Sequence, residues 1–290
     1  MATRNEGEDG VVYRGFQQVG MRVGFYGSIL LLVLISLFPV IWMLITSLKQ
    51  PNNVIDFPVS YIPKEPTLQN YVAALQEARF PRFLFNSAVV ASGTAILDVF
   101  LGALAGYSLS RLEFRFKLPV LMIILGTATL PFFSRLIPLF KLAREFGMLN
   151  SYLGLIIPYA AFQLPLAVWI FQAYFKELPD SLEEAALMDG LSRIGVLFRI
   201  ILPVSMPAMA TTFIIVFIFA WNEFLFALTF MTNDSMKTIT VGIAQFGGQF
   251  QTPWGTIAAG VIMSIIPLMA FMLFFQRKVV EGLTAGTGKA

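Results

Sequence analysis

Apolar runs long enough to approach the roughly 20 residues that cross a bilayer recur six times along the chain, separated by short polar segments. The first, near Val23–Leu48, reads VGFYGSILLLVLISLFPVIWMLITSL. The second, near Phe85–Ser110, contains a lone acid, Asp98, and a small-residue face of Gly102, Ala103, Ala105 and Gly106. The third, near Leu118–Ser134, is short and broken by Pro131; the fourth, near Tyr152–Tyr174, contains Pro158 and Pro165. The fifth lies near Val204–Leu228 and the sixth near Gly255–Phe275. Prolines inside spans are tolerated where neighbouring helices satisfy the freed backbone groups, and small residues let helices approach closely. The pattern therefore predicts an all-α membrane protein: a bundle of six transmembrane helices, several of them bent.

Composition sharpens this reading. The chain is 57% hydrophobic and 13% charged, against about 25% charged in soluble domains. It has no cysteine, which excludes disulfides and thiolate metal sites, and no histidine, the usual proton carrier near neutral pH and the commonest metal ligand. No metal site is expected. A net charge of +3 requires no nucleic-acid partner; Lys and Arg beside cytoplasmic span ends account for it. With the N-terminus inside, 12 cations fall on inner segments and 8 on outer ones, and the cluster SRLEFRFK (Ser110–Lys117) is the tightest inner group. Both termini are accordingly expected in the cytoplasm. The run after Arg22 is too long for a signal-peptide core and is expected to stay as the first span. The expected organisation is a cytoplasmic segment over residues 1–22, a transmembrane domain over 23–275, and a cytoplasmic tail over 276–290. Of three outer loops, the first (about Lys49–Leu84) contains VSYIPKEPTLQNYVAAL and is expected to be folded. The last (about Thr229–Pro253) contains FGGQFQTPWG.

One inner loop departs from the lipid-suited pattern. EAALMDGLSRIGVLFRIILP, from Glu184 to Pro203, carries helix formers together with Glu184, Asp189, Arg193 and Arg199. Asp180 and Glu183 read as an N-cap and capping box, and Gly190 as the residue that stops the helix. A second amphipathic piece, Ser192–Ile201, ends at Leu202-Pro203. The expected element is a helix–turn–helix hairpin at residues 180–203. It offers a small alanine face, Ala185 and Ala186, flanked by charges. From the residues alone, this is either a surface connector or a docking piece for another protein's groove.

Glu184, Ala185 and Ala186, then Gly190 four positions on, then Ile200, Leu202 and Pro203 match the E-A-A, three residues, G, nine residues, I-x-L-P pattern of permease subunits of ABC importers. Asp189 and Pro207 also resemble that family; Leu191 stands where an alanine is common. NSAVVA (Asn86–Ala91), AGYSLSRLEF (Ala105–Phe114), FAWNEFLFAL (Phe219–Leu228) and FQRKVVEGLTAG, from Phe275, resemble its carbohydrate branch, the smaller six-span permeases of maltose- or trehalose-type importers. That resemblance implies a prokaryotic inner-membrane subunit that pairs with a second, different permease. Two ATP-binding subunits would dock on the hairpins, and an extracytoplasmic sugar-binding protein would deliver cargo. No GxxxxGK[ST] loop is present, so this chain is expected to bind no cofactor and catalyse no reaction; ATP and Mg would sit on the partner ATPase. The implied coupling residues are Glu184, Ala185, Ala186, Asp189, Gly190, Ile200, Leu202 and Pro203.

Two further groups are candidates. Trp221, Asn222 and Glu223 lie within the fifth span, where an ionisable residue is a functional hypothesis by default. They either contact sugar, with Trp221 stacking on a ring, or lock helices together. Asp98 is expected to make a structural pairing. Gly247, Gly248, Gln249 and Phe250 either probe the docked binding protein or merely connect. A permease for another polar solute, such as glycerol phosphate, shares the hairpin. A secondary transporter is opposed by the absence of an inverted repeat and of a histidine relay, and a membrane enzyme by the absence of HExxH, GxSxG or paired acids.

Overall fold

The computed structural model describes residues 6–247, apart from 56, 59, 77 and 78, together with residues 252–285. Every regular element among them is helical. The chain divides into two units, Met1–Tyr71 with Trp254–Ile262 and Val72–Pro253 with Met263–Ala290.

The first unit is built on α1, Glu6–Ser47, whose stretch Gly24–Ser47 is apolar enough to span a membrane. Its side chains from Gly24 to Val40 are exposed on the isolated chain, as a lipid- or partner-facing helix requires. After Ser47 the chain runs through a 3₁₀ turn, Pro51–Asn53, to α2, Gln69–Gln76. The last carbonyls of a helix lack intrahelical donors. Asn70 supplies them here: its amide donates to the Ser47 carbonyl at 2.9 Å and the Lys49 carbonyl at 2.7 Å. The Ser47 hydroxyl shares a 2.7 Å bond with the Tyr71 hydroxyl, and Thr67 N–H donates to Leu48 O at 2.9 Å. The segment after α1, expected to be folded, is tied back on the end of that helix by Thr67, Asn70 and Tyr71.

The second unit is organised around α3, Phe80–Arg111, and the later α6, Tyr152–Glu177, which pack along most of their lengths. Glycine makes this approach possible. A Cβ on Gly102 would lie 2.8 Å from the Ala167 Cβ, and one on Gly106 would lie 2.6 Å from the Phe171 Cβ. The face marked by Gly102, Ala103 and Gly106 is therefore a helix contact of the small-residue kind, while Ala105 lies half-buried beside it. Between these helices lie α4, Lys117–Thr127, and α5, Leu136–Glu145. After α6 come α7, Asp180–Met188, α8, Arg193–Val196, a π turn over Leu197–Ile201, and α9, Leu202–Val204. α10, Met206–Asn222, is followed by α11, Leu225–Phe230, and α12, Ile239–Ala244. α13, Trp254–Ala285, ends the described chain. Phe132, Phe162 and Phe226 meet edge to face, with centroids 5.0–5.2 Å apart, in the larger core. Asn86, in the second turn of α3, donates to Ser235 O at 2.9 Å and Lys237 O at 2.8 Å and accepts from the Tyr152 hydroxyl at 2.9 Å.

Four described helical stretches are long and apolar enough to span: Gly24–Ser47, Phe80–Arg111, Tyr152–Glu177 and Trp254–Leu273. Arg193–Val204 with Met206–Asn222, bent by 79°, raises this to five if each bent pair is one span. Two of the six expected runs differ from continuous spans. The third forms only the 11-residue α4, about 17 Å at 1.5 Å per residue, because the chain turns at Ala128–Leu130 ahead of Pro131. The fifth ends at Asn222, where the extended backbone of Glu223 separates α10 from α11.

Candidate functional site

The segment expected to form the hairpin begins one residue earlier than a capping box with Asp180 at the N-cap requires. Pro179 occupies the N-cap position, and no side chain caps α7. Asp180 instead pairs with the Arg111 guanidinium at the end of α3, and that guanidinium also donates to Leu178 O at 2.5 Å. Glu183 turns into the bundle, only 7% exposed. It accepts a 2.7 Å bond from the Tyr107 hydroxyl and lies 3.7 Å from Arg111 Nε and 3.9 Å from a guanidinium nitrogen of Arg193. The capping-box reading is thus corrected: proline takes the cap because it presets the backbone, and both acids are drawn to the arginines.

α7 ends in a Schellman motif. Gly190 N–H bonds Leu187 O at 3.0 Å and Leu191 N–H bonds Ala186 O at 3.1 Å, with Gly190 at φ +85°. No atom would meet a Cβ there, so only the left-handed backbone calls for glycine. Leu191, the departure from the family pattern, packs on the cluster that holds Ala186, the apolar contact this motif favours. Ser192 starts the second arm, its hydroxyl accepting from Gly195 N–H at 3.2 Å. Val196, Leu197 and Ile201 are buried, with Ile200 and Leu202 packed beside them. The π turn precedes Pro203, which lacks the donor for a regular helical bond and would crowd the carbonyl four residues back. The arm then meets α10 at the 79° bend.

The eight candidate coupling residues separate into two faces. Glu184, Ala185, Asp189, Gly190 and Pro203 are exposed; Ala186, Ile200 and Leu202 face the bundle. The expected alanine face does not exist as one surface, since adjacent helical positions are 100° apart. Beside the exposed acids stand Met188, 89% exposed, and Ile194, 72% exposed. Sequence reasoning missed both, and it missed the Tyr107–Arg111–Glu183 knot. No signal in the sequence separates the two acids, since Glu183, Ala186 and Leu187 and equally Glu184, Leu187 and Met188 read as i, i+3, i+4 stripes.

In the fifth run, Trp221 is 2% exposed and stacks on Phe217, with centroids 5.5 Å apart. The Glu223 carboxylate, also buried, caps α11, accepting from Phe226 N–H at 2.9 Å and Ala227 N–H at 3.1 Å, and takes the Tyr159 hydroxyl bond from α6. Both side chains serve the helix-locking alternative in this conformation. Asn222 is exposed, its amide donating to Ile218 O at 2.8 Å, and its side-chain oxygen accepts no hydrogen bond from another described residue. Asp98 is fully buried, with both oxygens unpaired among the described residues, so the expected pairing is not formed. Gly247 is exposed at the end of the described segment; Gly248, Gln249 and Phe250 lie outside the described residues.

An exposed hairpin joined to a helical bundle of apolar spans is a recognisable arrangement. The binding-protein-dependent transport system inner membrane component family matches residues 98–284, from Asp98 through the hairpin to α13. The chain belongs to this family. It is 41% identical over 276 residues to the trehalose/maltose transport system permease protein of Thermococcus litoralis, covering 94% of this chain and 99% of that one. It is 39% identical to the sulfoquinovosyl glycerol transport system permease protein of Agrobacterium fabrum, covering 92% and 93% of the two chains. The trehalose transport system permease protein of Mycobacterium tuberculosis is also 39% identical, over 93% of this chain and all of that one. The fold matches a chain of a bacterial ABC transporter involved in import of the acidic polysaccharide alginate, with TM-score 0.75 and 21% identity over 96% of this chain and 98% of that one. The named relatives are permease subunits, and the chain is an ABC-transporter permease of an inner-membrane component family.

Proposed function

We propose that this chain is one of two different permease subunits of an ABC importer that carries a di- or oligosaccharide, of the trehalose or maltose kind, across a prokaryotic cytoplasmic membrane. Support for the sugar comes from the transport systems named for its relatives. Six spans with both termini inside put the hairpin in the cytoplasm. The run from α4 to Ser134 completes the third crossing, and α10 with α11 makes the fifth. An extracytoplasmic sugar-binding protein delivers the cargo, and two ATP-binding subunits hold ATP and Mg.

The observation that carries this reading is the hairpin itself. Its outward rim, Glu184, Ala185, Met188 and Asp189, is free for a partner. Its inner side is tied to α3 by Tyr107 and Arg111. Closure of the ATP-binding subunits pushes on the rim. The ion-pair knot passes that push to α3, and the bend after α9 passes it to α10. α10 ends at Asn222, so a displacement started at the hairpin reaches the polar break beside the path. Asn222 offers its exposed side-chain oxygen to sugar hydroxyls, while Trp221 and Glu223 hold the break in place.

Tagged chain purified from native membranes in mild detergent tests this. Wild type is expected to bring a second permease and an ATP-binding subunit whose ATP hydrolysis rises with trehalose or maltose plus binding protein. Glu184→Lys and Gly190→Pro are expected to keep the permease and lose the ATPase. Retention of every partner by both variants contradicts the docking role.

A further inference from the structure

We propose that the loop after α1 forms a headgroup site for an anionic phospholipid, with α1 as its stem. The loop encloses a cavity of about 480 Å³, lined by Lys49, Gln50, Phe57, Ser60, Lys64 and Glu65 among others. Lys49 is only 3% exposed, yet its ammonium makes no hydrogen bond or ion pair with another described residue. It sits 5.3 Å from the centre of the Trp42 ring, which backs it from the side of the span. Asn70 fixes its backbone by the 2.7 Å bond to Lys49 O. The lysine is thus held in place and turned into the cavity. Lys64 is exposed on the wall of the same cavity. The one carboxylate named in that lining, Glu65, accepts the Gln50 amide at 2.7 Å. The described lining therefore carries two positive charges against one negative charge, already engaged.

Depth identifies the ligand. Lys49 follows the apolar stretch Gly24–Ser47 by two residues, so the cavity lies at the membrane–water boundary. Trp42 and Tyr61 meet edge to face at 6.1 Å, the amphipathic aromatic pair expected at headgroup level. Around the cavity, Ile55, Phe57, Tyr61 and Ile62 stand 72–95% exposed, a cost in water that the glycerol and upper-chain region removes. Aliphatic and aromatic side chains facing the interface, with two lysines behind them, suit a phosphate headgroup whose chains run beside α1. Each such lysine is expected to favour anionic over zwitterionic lipid by about fivefold.

Native mass spectrometry of the full chain, with its copurified partner subunits, tests this after exchange into equal phosphatidylglycerol and phosphatidylcholine. Wild type is expected to retain one more phosphatidylglycerol per chain than Lys49→Gln/Lys64→Gln. Lys64→Gln alone, at an exposed position, is expected to lower its retention about fivefold without changing the melting temperature. Equal retention by wild type and Lys64→Gln overturns the site. So does cross-linking of an extracytoplasmic binding protein to a Phe57→Cys chain that shows no preference among lipids, which makes the loop a protein-docking surface.

Discussion

Glu223 is the residue whose chemistry decides between a sugar ligand and a structural lock. Its carboxylate is engaged by two backbone donors of α11 and by Tyr159. Removing it strands those donors in a buried site, so Glu223→Ala is expected to cost about 2–4 kcal/mol and to lower the melting temperature in detergent. Tyr159→Phe is expected to cost less, since it removes one donor without stranding the two backbone groups. If Glu223→Ala left stability unchanged while raising the sugar requirement of transport, the residue would belong to the path. At Gly190 the argument is backbone strain alone. Gly190→Ala is expected to destabilise the turn by about 1–2 kcal/mol, read as faster amide exchange over Leu187–Leu191, with the span helices unaffected.

Helices differ in how far their sequence declared them. The four described span stretches follow from length and apolarity, and the prolines of α6 bend nothing apart because α3 packs along it. Gly102 and Gly106 were legible as a contact face, since glycine four positions apart has few other uses in a span. Gly106→Val is expected to overpack against Phe171 by about 1–3 kcal/mol and to lower yield and melting temperature together. The breaks were not legible. Nothing in an apolar run announces that Glu223 will cap a new helix, because a cap depends on the backbone leaving the helix first. The hairpin was legible as a pair of helices with a glycine between them. Its orientation about its own axis was not: Glu184 and Glu183 are equivalent by composition, and the position of Arg111 on another helix chooses between them. Arg111→Ala is expected to leave the chain folded while loosening the hairpin, so that basal ATP hydrolysis by the complex persists and its sugar stimulation falls severalfold.

For the whole molecule, the central claim is that the rim of the hairpin faces the cytoplasm and meets an ATP-binding subunit. The absence of cysteine from the chain makes this directly measurable. Met188, 89% exposed on the rim, can be replaced by the only cysteine present. In membranes holding the complete transporter, Met188→Cys is to be treated with a short bifunctional thiol reagent against a single cysteine on the ATP-binding subunit. Separately, it is to be treated with a membrane-impermeant maleimide from either side. The account predicts a cross-linked permease–ATPase product and labelling from the cytoplasmic side alone. Labelling from outside, or no cross-link to the ATP-binding subunit while the complex stays intact, would contradict it.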